Sequence, residues 1–234
     1  MIFKSEASFN WLYSQDITKV KDLARVVQAS YLWNENNDYM KRLVNLRTGD
    51  SWNDDLRDTS RAASVLAQSG TIFTETRDWI LSKQKNGSWN EDVYDSTYAL
   101  TALADLGIFN PKECRWLIEN YGKKWEHPGT TALIITALLK QQKLENTGIY
   151  NEFIEEKAKW IISQRQENGS WKTPATSNLV IQSLMLAGHK NEVEESAEWL
   201  LSQISDNGSW GKEGGDINTT SLSLITLYEY MNSQ

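Results

Sequence analysis

Cysteine and histidine are scarce in this chain, and positive charge is nowhere massed. The single cysteine, Cys114, excludes an intrachain disulfide framework and suits a reducing compartment. The two histidines, His127 and His189, offer no Cys/His spacing for a zinc site. A formal charge of −7 and a pI near 5.0, with no lysine- or arginine-rich block, argue against nucleic acid as a partner. Long apolar runs are missing too. Even Ala132 to Leu139 is too short to span a bilayer, and Met1 to Trp11 contains no apolar signal-peptide core. No run sustains period-two alternation, so strands are not expected. These absences predict a soluble, cytoplasmic, all-α protein.

What is abundant is tryptophan, 11 in 234 residues. Five of them sit in a repeated turn: Asn86-Gly87-Ser88-Trp89, Asn168-Gly169-Ser170-Trp171 and Asn207-Gly208-Ser209-Trp210, with looser copies ending at Trp52 and Trp125. The spacing, roughly 36–46 residues, fits one helical hairpin per repeat. Phe9-Asn10-Trp11 reads as a degenerate first copy, which makes six hairpins in one domain over 1–234.

The helices before and after each turn differ. Asn151 to Ser163 sets Ile154, Ala158 and Ile161 at helical spacing among glutamates and lysines, a helix with one wet face. Ser96 to Ala104, Thr130 to Leu139, Ala175 to Ala187 and Ile217 to Leu227 carry no charge, as buried inner helices would. An (α/α)6 toroid, a double-layer ring with inner helices around a cavity, is the expected architecture; an open solenoid is the alternative. Glycine in each turn permits positive φ. Asp58, Asp95, Ser177 and Asp216 all follow a turn tryptophan by six residues and are expected as N-caps.

Gln84-x2-Gly-Ser-Trp89, Gln164-x4-Gly-Ser-Trp171 and Gln203-x4-Gly-Ser-Trp210, each with a tryptophan upstream (Trp79, Trp160, Trp199), resemble the QW motif of the terpenoid cyclase and protein prenyltransferase superfamily. The resemblance covers nearly the whole chain. It implies an (α/α)6 toroid acting on an isoprenoid or other hydrophobic polyene. It also implies that each Gln caps a helix end while its Trp packs over it.

Chemistry is less directly written. The family's class II members protonate an alkene with the middle acid of Asp-x-Asp-Asp. The corresponding stretches here, Asp55-Leu56-Arg57-Asp58 and Asp92-Val93-Tyr94-Asp95, place Arg57 and Tyr94 at that position. Asp54-Asp55-x-x-Asp58 also matches a Mg²⁺–diphosphate motif of class I synthases, so Mg²⁺ is the cofactor to consider if the substrate is a diphosphate. The dull reading makes these aspartates helix caps and solvated turn residues.

The repeat geometry gathers Asp55, Arg57, Asp58, Asp92, Tyr94, Asp95, His127 and Asp216 at the N-terminal mouth of the ring. Arg61, Tyr98 and Asn178 are placed one turn deeper in the bore. As an enzyme, the chain would use Asp55, Asp58, Asp92 and Asp95 as acids, and Arg57, Arg61 and Tyr98 as anion and cation partners of the substrate. The alternatives are a non-catalytic toroid binding a hydrophobic ligand or a protein, and a carbohydrate-active barrel with paired carboxylates. Family cyclases often pair two toroids, so a second domain or subunit is a candidate partner.

Overall fold

Tight turns containing left-handed residues cut the chain into twelve α-helices. The computed structural model describes residues 3–232; Met1, Ile2, Ser233 and Gln234 of the 1–234 domain lie outside them. The first four helices are α1 (Glu6–Tyr13), α2 (Val20–Leu32), α3 (Tyr39–Asn45) and α4 (Leu56–Gln68). Next come α5 (Thr74–Ser82), α6 (Val93–Asp105), α7 (Pro111–Glu119) and α8 (Pro128–Leu144). The chain ends in α9 (Asn151–Ser163), α10 (Pro174–Leu186), α11 (Glu194–Ser202) and α12 (Ile217–Asn232), with a 3₁₀ turn before α11. Among the described residues there is no strand, only isolated bridges inside two turns. No helix is long and apolar enough to cross a membrane.

The even-numbered helices pack in series, α2 on α4 and so on to α12, and α12 packs back against α2. The odd-numbered helices lie against them from outside: α7 touches α6 and α8, α11 touches α10 and α12, and α1 lies on α12. Chain ends meet at the seam. The Trp33 indole donates to the Leu224 carbonyl at 2.9 Å, tying α2 to α12. Phe3 packs edge-on against both Trp33 and Trp210. A Cβ on Gly208 would come within 2.6 Å of the Ala7 backbone, so glycine lets the last turn press on α1.

One device repeats at four of the turns. The indoles of Trp52, Trp89, Trp171 and Trp210 donate to Leu43, Ile80, Ile161 and Leu200, at 2.7–2.8 Å. Each acceptor is the third residue from the end of its odd-numbered helix, where carbonyls have lost their helical partners. The same tryptophans' backbone N–H groups donate to Thr59, Ser96, Ser177 and Thr220 hydroxyls, at 2.9–3.1 Å. Each hydroxyl is the fourth residue of the following even-numbered helix, and all four are fully buried. One tryptophan thus joins two helices through both its ring and its backbone.

The N-caps fall earlier than the spacing suggests. Asp55 accepts from Asp58 N–H, and Asp92 from Tyr94 and Asp95 N–H. Asp58 and Asp95 are third residues of their helices, and Ser177 is the fourth of α10, where Thr173 is the cap. The cause is the turn. Asn53–Asp54 and Asn90–Glu91 all have positive φ, reversing the chain in the two residues after tryptophan, so the helix begins a turn sooner. Asp216 does cap α12, accepting from Thr219 N–H at 2.7 Å.

The glutamines also depart from the role the resemblance implies. Gln84 reaches Glu113 on α7, while Gln164 and Gln203 bond the neighbouring serine hydroxyls. The indole, not the amide, occupies the helix-end carbonyl. Trp11 is no turn residue at all: it lies inside α1.

Trp89→Phe keeps most of the packing but removes the indole bond, leaving the Ile80 carbonyl with only the Lys83 N–H at 3.3 Å. It is expected to cost about 0.5–1.5 kcal/mol, against about 3–5 kcal/mol for Trp89→Ala, in urea unfolding. Loss of less than half a kilocalorie in the phenylalanine variant would remove the indole bond as a structural determinant.

Candidate functional site

All six even-numbered helices face one cavity of about 500 Å³. Counting from the helix start, the sixth, ninth and thirteenth residues of α4, α6, α8 and α10 point into it, as one face of a helix should; α2 contributes its sixth and ninth and α12 its thirteenth. The sixth positions bring together Arg25, Arg61, Tyr98, Leu133 and Leu179. The thirteenth bring Gln68, Asp105, Lys140, Leu186 and Glu229. No residue before the fifth of any helix lines the cavity, and the one exposed side chain of its lining, Leu186, stands at the C-terminal end of α10.

That is the opposite end from the N-terminal mouth expected from sequence. There the acidic residues are occupied with one another's helices. Arg57 bonds Asp95 and, at 3.0 Å, Asp92, joining α4 to α6. Burial disfavours the Arg57 charge, but Asp95 and Asp92 more than offset this and hold the guanidinium charged above its ordinary range. Asp58 accepts from Asn53, and Asp95 from Asn90. The Tyr94 hydroxyl meets Thr130 at 3.0 Å, and His127 Nδ1 accepts from Gly129 N–H as the α8 cap. Asp54 is largely exposed beside Lys83, so Asp54, Asp55 and Asp58 serve three different partners. Among the described residues no three His, Cys, Asp or Glu side chains are grouped to hold a metal ion.

Of the residues placed in the bore by sequence, Arg61 and Tyr98 line the cavity. Asn178 does not: it is buried, donating to Ser223 on α12 at 2.9 Å. Arg61 and Tyr98 stand nine residues after their tryptophans, whereas Asn178 stands only seven after Trp171 and is the fifth residue of α10, one before the inward Leu179. The residue nine after Trp171, Val180, is not inward either, because the loop is one residue shorter. After Trp52 and Trp89 the cap is the third residue on; after Trp171 a tighter turn, with Thr173 N–H on the Trp171 carbonyl, makes it the second. Every later side chain in α10 is therefore rotated by about 100° relative to an alignment on tryptophan, and Leu179 takes the inward position.

The cavity has two halves. α8 and α10 contribute mainly Ala132, Leu133, Leu179 and Met185; α2, α4 and α6 contribute Arg25, Arg61, Tyr98 and Asp105. The Arg61 guanidinium stacks 4.1 Å over the Tyr98 ring. Burial raises the Tyr98 phenol, but Arg61 and Arg25 together outweigh it and leave its pKa lowered. Burial also lowers the pKa of Arg25. Asp105 is held by both Lys140 contacts at 2.8 Å, by Ser64 at 2.5 Å and by Gln68 at 3.0 Å. Glu229 is different: burial pushes its carboxyl up to about 7, only partly opposed by Lys140 and Arg25. Cys114 is buried, and burial raises its thiol to about 12, so it is no nucleophile at neutral pH.

Arg25, Asp105, Lys140 and Glu229 were not singled out by sequence. Their signal is positional: Asp105 and Glu229 fall on the inward rows once the starts of α6 and α12 are fixed by their tryptophan–hydroxyl pairs, whereas α2 and α8, which carry Arg25 and Lys140, have no such pair. No protein-family model matches this chain, and no curated protein matches it.

Glu229 gives a stability–pH prediction. Its folded pKa lies above the unfolded value, so its contribution is full below about pH 4.5 and is lost as pH rises through 7. Between pH 5 and pH 8 the wild type should lose stability relative to Glu229→Gln, by at most about 3 kcal/mol. Parallel melting-temperature profiles for the two proteins would refute the raised carboxyl.

Proposed function

We propose that the chain is an (α/α)6 toroid of the terpenoid cyclase and prenyltransferase type, whose central cavity takes an isoprenoid or other hydrophobic small molecule. The observation that carries this reading is a cavity lined by all six even-numbered helices, whose contacts return from α12 to α2. Its size is that of small-molecule sites, about 300–1,000 Å³. Its α8–α10 wall offers apolar surface, and the QW-like turns supply the inter-helix joints at four positions.

A second reading, a toroid that binds without catalysing, is favoured by the engagement of Asp55, Asp92 and Asp95 as caps and ion-pair partners. On either reading the ligand occupies the cavity and not the acidic helix starts. If it is transformed there, Glu229, whose carboxyl burial raises to about 7, is the cavity group able to exchange a proton near neutral pH.

A thermal-shift titration with prenyl diphosphates of increasing length and with squalene, each with and without Mg²⁺, tests the proposal. Ligand at a hundred times its dissociation constant should stabilise by about 2.7 kcal/mol. The shift should depend on chain length and disappear in Leu179→Trp, which fills the bore. No shift with any member of the series would overturn the isoprenoid reading.

A further inference from the structure

The buried charges of the cavity do not balance where they are deepest. Arg25 and Arg61 stand side by side at the inner end with the Tyr98 ring between their electrostatic fields. Among the described residues no carboxylate comes within ion-pair distance of Arg25, whose side chain meets the Gln28 amide oxygen at 3.2 Å and the Tyr98 hydroxyl, an oxygen it shares with Arg61. Arg61 meets one carboxylate, Asp58, at 3.8 Å, from the helix-start side and not from the cavity. The two acids that do line the cavity offer little compensation. Asp105 is already committed to Lys140, Ser64 and Gln68, and burial raises the Glu229 carboxyl to about 7, so only part of its charge is present at neutral pH. Two guanidiniums out of bulk water without a full counter-charge are unfavourable until an anion arrives.

Resting on the cavity reading above, we infer that its inner end is an anion subsite: Arg25 and Arg61 clasp a single carboxylate or phosphate group of an amphiphilic ligand whose apolar body lies along α8 and α10. Guanidinium forks suit either oxyanion, by paired N–H donation. The position of the pair dictates orientation, since the head must enter first and the tail trails toward Leu186, the exposed side chain of the lining. Neither bonding partner requires a metal.

The test uses three probes with one chain length, octanoate, octyl phosphate and octanol, titrated calorimetrically into the whole protein in low-chloride buffer. At least one anion is expected to bind tenfold or more tightly than octanol, and which one does so separates a carboxylate from a phosphate ligand. Arg25→Gln should abolish that advantage while leaving octanol affinity unchanged, with Arg25→Lys intermediate. The ligand-free Arg25→Gln protein should melt no lower than wild type, because a buried like-charge contact has been relieved; this separates lost binding from lost folding. If octanol binds as tightly as both anions, or Arg25→Gln and Arg61→Gln keep the anion preference, the subsite is overturned while the apolar cavity stands. If none of the three binds and the prenyl series also fails, both the cavity reading and this inference fall.

Discussion

The structure depends on one joint: a buried tryptophan whose indole occupies a carbonyl at the end of one helix and whose backbone N–H is received by a hydroxyl at the start of the next. Each contact removes a group that would otherwise be buried without a partner, which is costly. The serines and threonines that receive the N–H also return their hydroxyl hydrogen toward the tryptophan carbonyl, as Thr59 does at 3.3 Å and Thr220 at 3.2 Å. Polar atoms at the interface of two helices are thus satisfied by one side chain and one hydroxyl, without water. The first hairpin has no such joint. Its α2 carries Leu23 where the others carry a hydroxyl, and the seam is held instead by Phe3, Trp33 and the α1–Gly208 contact. The place where repetition fails is the place where the two chain ends are brought together.

The joint also sets rotation. A hydroxyl fixed as the fourth residue of a helix leaves the sixth, ninth and thirteenth on the opposite side, facing the cavity. Turn length can therefore vary, as it does between the reversal after Trp89 and the shorter one after Trp171, without disturbing which positions of the helix line the cavity. The helix is registered to its tryptophan by hydrogen bond and not by residue count.

This explains what the sequence makes legible. Helix content, the alternation of wet and uncharged helices and the turn chemistry follow from periodicity and from Asn-Gly-Ser-Trp. The cap positions do not, because consecutive left-handed residues at Asn53–Asp54 and Asn90–Glu91 are not written in any residue type that demands them; Glu91 in particular has no intrinsic preference for positive φ. Counting nine residues from tryptophan gives the inward Arg61 and Tyr98 but in α10 gives Val180, one past the inward Leu179, while Asn178 falls one short of it. The acidic helix starts attract attention as chemistry because cap residues and catalytic acids are the same amino acids. Only their partners separate the roles, Asp92 on backbone N–H and Arg57 being an example.

The uncharged character of the inner helices has a further consequence. Where a cavity is lined by uncharged residues apart from Arg25, Arg61, Asp105, Lys140 and Glu229, each of those charges weighs heavily in the local field. Lys140 and Asp105 neutralise each other across α6 and α8, and Glu229 lessens the cost of burial through a carboxyl raised to about 7. Arg25 and Arg61 have no comparable escape, since a guanidinium stays charged at any physiological pH. Stability alone would favour methionine or leucine at such positions, as at Leu133 and Leu179 one and two helices away. A charge that the fold neither neutralises nor needs for packing is best understood through what the empty space beside it is shaped to receive.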